Sequence, residues 1–467
     1  MRWYTLLWVL LLSLFIPLGI LLATTALAEH EFRAVAVSLG ATLLIIGLIL
    51  LLLALSRRGA LESLYARRGL KAGLAVTALF TASLVIPSEA SLPRKDIRRF
   101  TTGTQAYDAS TQPGNEIFTQ IEKKQASSDK DVMTFSIFDV CVGKVSHRVS
   151  RDGEVSPNRV EVINPGILTQ KLKADAKALG ADVVGITELD PRFVFQKDNE
   201  GNPVRLKHRY AIVLGKGLDY KLSHPTAPLP WQSLYSSIPE EVAAVLSGRQ
   251  VQTATQIPEE TLNEYRETLE FFSDGGRTAV ELASLIRSYG YPARAHFGRW
   301  SEVQVVPLAI MAGLGELGKN GMLVNPAFGP RGSFPIVTTD LPLIPDRQVD
   351  LGIQEFCRAC AKCADACPPR AVPQGDPALV NGLLRWQVDG TKCFSYIKTN
   401  PKCMACVGAC PYNKKDYFVH RLAVTAIARK SRVMNWLMLR LDNLLGYGAR
   451  SVRVGQEARK TLVRVPQ

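Results

Sequence analysis

The chain has 467 residues, a formal net charge of +14 and a hydrophobic fraction of 47%. This length suggests about three domain-sized units. The basic residues are spread through loops and the C-terminal tail, without aromatic platforms or a known nucleic-acid motif. This argues against a nucleic-acid partner and favours anionic membrane lipid.

The N-terminal region contains three apolar runs. Residues 4–28 and 34–56 are each long enough, at ~1.5 Å per residue, to cross a ~30 Å hydrocarbon layer. The first run is too long for a cleaved signal peptide, and the second follows it at once. A shorter run, 72–87, ends in proline. We therefore predict a transmembrane anchor of three spans within residues 1–92.

The charges around these runs bear on orientation. With a cytoplasmic N-terminus, six basic residues lie inside and five outside, so the positive-inside rule decides little. Three spans then place everything after Pro87 on the periplasmic, outer face of the cytoplasmic membrane. The pair Arg67-Arg68, before the third run, resembles a degenerate twin-arginine export signal; an ordinary cytoplasmic basic anchor is the alternative.

Helix and strand signals alternate in the middle of the chain. Apolar residues at three- and four-residue steps predict helices in 168–180 and 276–291, the second closed by a C-cap glycine. Short β-branched runs bounded by Gly, Asp and Pro predict strands in 180–195 and 208–220. These signals predict an α/β or α+β core, assigned to residues 93–345.

Eight of the nine cysteines fall into two motifs. A C-x2-C-x2-C-x3-C-P run starts at Cys357, and a second set with the same ending has nine residues between Cys393 and Cys403. In such motifs three thiolates bind one 4Fe-4S cluster while the fourth points to the other cluster. We therefore predict crossed ligation, with Cys357, Cys360, Cys363 and Cys410 on cluster 1 and Cys393, Cys403, Cys406 and Cys367 on cluster 2.

Disulfides and structural zinc are the alternatives for these cysteines. Neither accounts for a doubled motif with proline after each last cysteine. We therefore predict a ferredoxin-like domain with two 4Fe-4S clusters at residues 346–420. The ninth cysteine, Cys141, is expected to be a small buried side chain.

Residues 421–467 are predicted to form a C-terminal helix and a basic tail. The helix is expected within 424–448, with its apolar face packed on the catalytic body. Binding to the membrane surface through Trp436 and the arginines is the alternative.

The chain resembles a known family in several stretches that occur in the family's order. These stretches are GADVVGITELDPRFVF, GYPARAH, MAGLGELGKNGMLVNPAFGPRGSF, VTTDLPLIPD and the two cysteine motifs. From about residue 95 to about residue 450 it is similar to corrinoid-dependent reductive dehalogenases. The stretches are specific for the superfamily but less so for the reaction, because epoxyqueuosine reductases resemble the same core.

The resemblance implies a nitroreductase-like core that holds a base-off corrinoid (cobalamin). It further implies that the ferredoxin-like domain passes electrons to cobalt, where halide is removed from a small-molecule organohalide. The glycine-rich run lets backbone approach a bulky ligand, although a tight turn and helix packing explain it equally. The candidate cofactor-binding residues are Gly313, Gly315, Gly318, Lys319, Asn320 and Gly321.

The family uses a tyrosine as proton donor, with a nearby cation. A positive neighbour stabilises phenolate and lowers the pKa of tyrosine. By order and separation the resemblance assigns these catalytic roles to Tyr235 and Arg294, with Tyr210 and Tyr220 as rivals for the tyrosine. His296 could line a pocket or face water.

The N-terminus departs from the family pattern. Respiratory members usually carry a removable twin-arginine signal and rely on a separate membrane protein as anchor, whereas this chain starts with spans of its own. The expected function is a membrane-anchored reductive dehalogenase that takes electrons from an unknown donor: a quinol, a ferredoxin or another reductase.

Two other functions are open. An epoxyqueuosine reductase-like enzyme, or another corrinoid and iron-sulfur reductase of a non-halogenated substrate, shares the core; an epoxyqueuosine reductase should lack membrane spans. A membrane ferredoxin-type electron-transfer subunit needs only the clusters and leaves some 250 upstream residues unexplained.

Overall fold

The computed structural model forms two compact units, each assembled from three stretches of the chain. Unit 1 combines Met1–Leu92, Leu351–Cys360 and Lys414–Arg450. The second unit, unit 2, combines the remaining stretches: Pro93–Asp350, Ala361–Asn413 and Ser451–Gln467. The structure describes residues 3–58, 68–69, 71–73, 151–198, 202–224, 259–298, 301–380, 383–399 and 403–464.

Helices predominate among the elements of the described residues. The helices are α1 (Trp3–Ser13), α2 (Phe15–Ala28), α3 (Phe32–Arg57), α4 (Pro165–Ala178), α5 (Glu259–Ser288), α6 (Val305–Met311), α7 (Ile353–Ala359), α8 (Lys362–Ala366), α9 (Gly390–Thr399), α10 (Ala405–Gly408), α11 (Phe418–Ile427), α12 (Arg432–Leu445) and α13 (Ala449–Arg464). The strands are β1 (Val183–Glu188), β2 (Tyr210–Gly217), β3 (Ala293–His296), β4 (Glu316–Leu317), β5 (Leu323–Val324), β6 (Gly332–Ser333), β7 (Ile336–Thr339), β8 (Ala378–Val380) and β9 (Leu383–Arg385).

The first two predicted spans are helical. Thr5–Ala28 and Phe32–Arg57 are long and apolar enough to cross a membrane, and little of either is buried inside the protein. Both features are consistent with a membrane anchor. The third predicted span, 72–87, lies outside the described residues apart from its first two positions.

The turn between α2 and α3 carries a buried carboxylate. The side chain of Glu29 accepts the backbone N–H of Lys415 at 2.8 Å, Nε2 of His420 at 3.1 Å and the hydroxyl of Tyr447 at 2.8 Å. Burial by itself opposes ionisation of Glu29, but the hydrogen bond and charge of His420 and the other donors outweigh it, so its pKa is lowered. We call these four residues the Glu29 clasp.

Two lysine side chains strengthen the clasp. Lys414 Nζ lies 2.8 Å from Asp442 and 3.4 Å from the ring centre of Tyr447. Lys415 Nζ donates to the carbonyl oxygen of Ala28 at 3.1 Å, where the end of α2 leaves carbonyls without helical partners. The residues that follow the second cysteine motif are thereby tied to the turn between the apolar helices.

The centre of unit 2 is a five-stranded antiparallel sheet. Its order is β1-β2-β7-β3, and β6 pairs with the end of β2. Ile212 of β2 lies opposite Ile186 of β1 and Val337 of β7. Since every ladder runs antiparallel, the core is of the α+β type, which is one of the two classes that the sequence left open.

Helices cover both faces of this sheet. Ile212 and Leu214 pack with α4 and α5 on one face, while Ala211 and Val213 pack with α6 on the other. This alternation follows from the two-residue period of a strand. The segment that contains the glycine-rich run follows α6, so the sheet positions it on the second face.

The two helices and two strands predicted for this core are confirmed, although their exact ends differ. The predicted helices correspond to α4 and α5, and the predicted strands contain β1 and β2. Helix α4 begins earlier than predicted because Asn164 caps it, accepting the N–H of Gly166 at 2.9 Å. Gly290, the predicted C-cap residue, has a φ of 82° directly after α5.

Replacing Glu29 by Gln should destabilise unit 1. The change leaves three donors around a neutral amide, and breaking a buried charged pair costs about 3–5 kcal/mol. Tyr447→Phe removes one hydrogen bond to a charged group and should cost about 1.5–3 kcal/mol. Thermal unfolding of the full chain in detergent, followed by circular dichroism, measures both effects.

The matched control is Asp416→Asn, because Asp416 pairs with Arg421 at an exposed position. It should leave the unfolding temperature nearly unchanged. Because the pKa of Glu29 is lowered, its stabilising effect should be complete above the ordinary carboxyl pKa and lost as the pH falls through the folded-state value. Equal acid sensitivity of the native chain and Glu29→Gln would contradict this account.

Candidate iron-sulfur and corrinoid site

Four thiols from both cysteine motifs come together in unit 2. Cys367 follows α8, and Cys393 lies on α9. Cys403 precedes α10, and Cys406 is the second residue of that helix. Burial raises the pKa of Cys406 and Cys393 and raises that of Cys403 to about 11, and negative charge on the neighbouring thiols adds to each shift. Cys367 is one of the neighbours in every case. Cys367 packs with Cys393 and Cys406 in a cluster that also includes Cys363, which is predicted for cluster 1, so the division of ligands between the two clusters remains a prediction.

The surroundings of Cys367 suit a thiolate ligand. The backbone N–H of Ala371 donates to its sulfur at 3.2 Å, and such hydrogen bonds tune iron-sulfur clusters. Arg459 of α13 donates to the carbonyl oxygens of Asp365 and Cys367, at 2.8 and 2.7 Å. Sequence reasoning missed Arg459, because nothing in its local pattern connects it with a motif 92 residues earlier.

The described cysteines fit a cluster better than the two alternatives. All eight are free thiols, so no disulfide forms among them. Within the described ranges, no three His, Cys, Asp or Glu side chains are grouped tightly enough to hold one metal ion. Zinc at about 2.3 Å from each sulfur requires such a group, whereas a cluster of four irons spreads its ligands.

The residues predicted for cluster 1 are divided between the units. Cys357, on α7, and the buried Cys360 at its end belong to unit 1. Cys363 and Cys410 belong to unit 2. Their shared ligation of cluster 1 remains a prediction. Cys141 lies outside the described residues.

The glycine-rich run has two different roles. A Cβ on Gly313 would lie 2.4 Å from the carbonyl oxygen of Arg347, and one on Gly315 would lie 2.2 Å from that of Val324. These two glycines are therefore required by contacts of the protein with itself. Gly318 and Gly321 belong to the turn between β4 and β5, closed by the Gly318 N–H to Met322 carbonyl hydrogen bond of 2.8 Å.

Three polar side chains of unit 2 are buried, and two of them have a donor without a partner among the described residues. Lys319 is 3% exposed, and its ammonium lies 5.3 Å from the ring centre of Trp386. The side-chain nitrogens of Asn320 and Gln304 have no hydrogen-bond partner in the described part of the chain. Buried donors of this kind are costly without an acceptor. They fit a corrinoid, whose periphery carries amide carbonyls and a phosphate.

An apolar cavity of about 400 Å³ lies in unit 2 beside the same turn. Gly321 and Met322 contribute to its wall, and among the described lining residues Ser333 alone carries a hydroxyl group. Such a cavity favours an apolar ligand because binding removes apolar surface from water. The lining residues are Phe272, Phe297, Gly298, Val305, Val306, Gly321, Met322, Leu323, Pro330, Gly332, Ser333, Phe334 and Pro335.

Arg294, the predicted cationic partner, is held on β3 by two carboxylates. Its guanidinium forms an ion pair with Asp152 and a second, at 2.9 Å, with Glu302. Burial alone lowers the pKa of Arg294, but these partners outweigh it, so the pKa is raised. Tyr235, the predicted proton donor, lies outside the described residues.

The rival tyrosines are both buried in unit 2. Tyr210 is on β2 within the sheet, and Tyr220 makes an edge contact with His224 at 4.4 Å between ring centres. Neither is among the residues that line the cavity. The structure therefore gives these two side chains the packing role of ordinary aromatic residues.

His296 neither faces water nor lines the cavity. It is completely buried, and its Nε2 lies 2.8 Å from the hydroxyl of Thr338, which is also 2.8 Å from Nδ1 of His208. Burial lowers the pKa of both histidines, well below the usual value for His296. This neutral histidine pair was not predicted, because its members are far apart in sequence.

Comparison with known proteins finds similarity to reductive dehalogenases. No family model matches the chain. The tetrachloroethene reductive dehalogenase of Sulfurospirillum multivorans is 30% identical over 305 residues, which cover 62% of this chain and 59% of the relative. A tetrachloroethene reductive dehalogenase of Desulfitobacterium hafniense is 29% identical over 298 residues, which cover 59% and 53%.

A solved structure agrees with these relatives. It is that of the catabolic reductive dehalogenase NpRdhA in complex with 3-bromo-4-hydroxybenzoic acid, which is 28% identical with a TM-score of 0.55. The match covers 67% of this chain and 41% of that chain. The chain is therefore similar to reductive dehalogenases in sequence and in fold.

The match to the reductive dehalogenase family is partial in length. The chain spans somewhat more than half of the curated relatives that it matches, 59% and 53% for the two described. The similarity therefore extends over only part of these enzymes.

Cys367→Ser should remove one cluster and spare the other. Crossed ligation assigns Cys367 to cluster 2, so the iron content should fall by about half while the signal of the remaining cluster persists. Iron analysis and electron paramagnetic resonance of the reduced protein measure this. Cys141→Ser, the matched control, should retain all iron. Loss of cluster 1 alone would contradict crossed ligation.

Proposed function

We propose that the chain is a membrane-anchored reductive dehalogenase that uses a corrinoid and two 4Fe-4S clusters. The observation that carries the proposal is the apolar cavity beside the unused donors of the β4–β5 turn. The thiols of Cys367, Cys393, Cys403 and Cys406 support a source of electrons in the same unit. The reaction consumes an organohalide, two electrons and one proton, and yields halide and the hydrogen-substituted product.

The cavity walls account for substrate class. Phe297, Val305 and Phe334 offer apolar contacts and exclude water. A small organohalide gains from leaving water, whereas a charged or strongly hydrated molecule loses hydration that these walls do not replace. The walls also keep water and stray protons away from the reduced centre.

The donors of the turn account for cofactor binding. Asn320 and Gln304 have free N–H groups for carbonyl acceptors, and Lys319 supplies a positive charge for an anionic group. A bound corrinoid would supply the cobalt at which the carbon-halogen bond is reductively broken. The chain's part is to hold that cofactor, deliver electrons to it and provide the proton.

Tyr235 is our candidate for the proton donor, with Arg294 as its cation. Asp152 and Glu302 cancel most of the charge of Arg294 at a distance. Arg294 therefore influences a tyrosine pKa only in direct contact, where one N–H group of the guanidinium stabilises phenolate.

Anchoring places the enzyme at the cytoplasmic membrane. The two apolar helices support this, and a third span at 72–87 would place the catalytic part on the periplasmic side. The membrane gives access to a lipid-soluble donor such as a quinol, with a ferredoxin or another reductase as the other donors.

The alternative functions are less well supported. A ferredoxin-type electron-transfer subunit does not account for the antiparallel sheet or for the cavity in unit 2. An epoxyqueuosine reductase-like enzyme does not require two membrane helices.

Reconstituted protein in detergent should bind a corrinoid and release halide. Absorption spectroscopy detects the bound cofactor, and ion chromatography measures halide from chlorinated and brominated substrates under a low-potential reductant. Lys319→Met should lower corrinoid retention at least tenfold, because it removes the buried charge. Lys216→Met is the matched control, since Lys216 pairs with Asp274 in a partly exposed ion pair. Absence of corrinoid from the native protein would refute the mechanism.

Tyr235→Phe should abolish turnover while both cofactors remain bound. The substitution removes only the transferable proton, so corrinoid absorption and iron content serve as internal controls. Arg294→Gln should reduce kcat by tenfold or more and raise the pH at which turnover declines, because the phenol loses its cationic neighbour. Tyr210→Phe should retain activity. Full turnover by Tyr235→Phe would assign the proton donor elsewhere.

A further inference from the structure

Helix α12 has an unusual distribution of polar and apolar side chains. Its outward stripe carries Val433, Trp436 and Leu444, which are 45%, 56% and 55% exposed. Its inward stripe includes the buried polar residues Asn435 and Asp442. A helix on a water-soluble surface shows the opposite arrangement. The apolar stripe of α12 is therefore built for a non-aqueous neighbour.

The same face continues on α11. Phe418 and Leu422, one helical turn apart, are 57% and 48% exposed. Outside residues 1–58, the described residues include thirteen exposed large hydrophobic side chains, and six of them lie on these two helices. The two helices pack against each other, so nearly half of these exposed apolar side chains are concentrated in one part of unit 1. We call these six residues the α11–α12 apolar face: Phe418, Leu422, Val433, Trp436, Leu441 and Leu444.

The position of this face within unit 1 indicates what covers it. At the end of α12, Leu445 and Tyr447 pack against Ala26 of α2 and Ala34 of α3. Both alanines lie within about 5 Å of the ends of the apolar helices, at about 1.5 Å per residue. The Glu29 clasp fixes the same region. The face is thus continuous with the lipid-facing surface, at the depth of the headgroups.

The charges agree with this position. Between residues 418 and 445 there are five lysines and arginines and a single acidic residue, Asp442, which is paired with Lys414. The guanidinium of Arg440 lies 5.4 Å from the ring centre of Trp436. Tryptophan and arginine together are typical of the membrane-water interface, where anionic headgroups attract the cation.

We propose that α11 and α12 lie in the headgroup layer of the bilayer as an interfacial membrane-binding element. The apolar face enters the upper acyl chains and the arginines contact anionic headgroups. This inference rests on the membrane anchoring proposed above and not on the reaction. Its consequence is that the segment directly after the second cysteine motif rests on the lipid surface.

Quenching of Trp436 in nanodiscs of anionic phospholipid tests the proposal. The fluorescence of the Trp436→Phe variant is subtracted from that of the unsubstituted full chain, and the difference is the emission of Trp436. That component should be quenched strongly by lipids brominated in the upper acyl chain and be shielded from iodide in the water. Trp386, which is 2% exposed in unit 2, should respond to neither quencher.

Two other results would overturn the proposal. Quenching by iodide without quenching by bromolipid means that the face is in water, and quenching by neither means that a protein surface, such as a second copy of the chain, covers it. Trp8, within α1, distinguishes failure of the proposed interfacial contact of α11 and α12 from failure of the proposed membrane anchor. Failure of deeply brominated lipid to quench the tryptophans that remain in Trp436→Phe would refute the anchor.

A double substitution provides a second measurement. Val433→Glu with Leu444→Glu places charges on exposed positions, so folding should persist, as far-ultraviolet circular dichroism can verify. Bromolipid quenching of Trp436 should be lost in this variant. Val155→Glu, at an exposed apolar position of unit 2, is the matched control and should leave quenching unchanged. Unchanged quenching in the double variant contradicts the proposed contact.

Discussion

Four thiols from two distant motifs meet in unit 2, and much of the C-terminal fold follows from that meeting. Cys367 can reach Cys393, Cys403 and Cys406 only if α8, α9 and α10 pack together. Charged thiolates repel one another and lose hydration when buried, which is why the pKa of Cys403 is raised to about 11. The iron of the proposed cluster would compensate for both costs.

The two units differ in whether their buried polar side chains have hydrogen-bond partners. The Glu29 clasp surrounds a carboxylate with donors from residues far along the chain, and the carboxylate stays ionised. In unit 2 the reverse holds, because Asn320 and Gln304 offer buried donors that the described part of the protein leaves unused. A satisfied network stabilises a fold, whereas an unsatisfied one is the ordinary sign of a binding site.

Local patterns were sufficient for several elements but not for their pairing. The single helix expected within 424–448 was wrong, because α11 and α12 are separate helices and Lys430 between them has a φ of 58°. The apolar period predicted α4 and α5, and the cysteine spacing identified the thiols that meet. Strand direction depends on partners distant in sequence, so the antiparallel order could not be predicted. Gly313 and Gly315 were assigned to ligand approach, but their close contacts are with the backbone at Arg347 and Val324. A glycine pattern alone does not say which neighbour comes close.

The Glu29 clasp limits how many times the chain can cross a bilayer. Under the proposed anchoring, in which both helices cross the bilayer, the turn between α2 and α3 and the segment from Lys415 to Tyr447 lie on the same side, because they meet at one carboxylate. Arg58, at the far end of α3, would then lie on the opposite side. That proposal therefore requires an odd number of crossings between Arg58 and Lys415. Two crossing helices without a further crossing could not bring Glu29 and its three partners to one face.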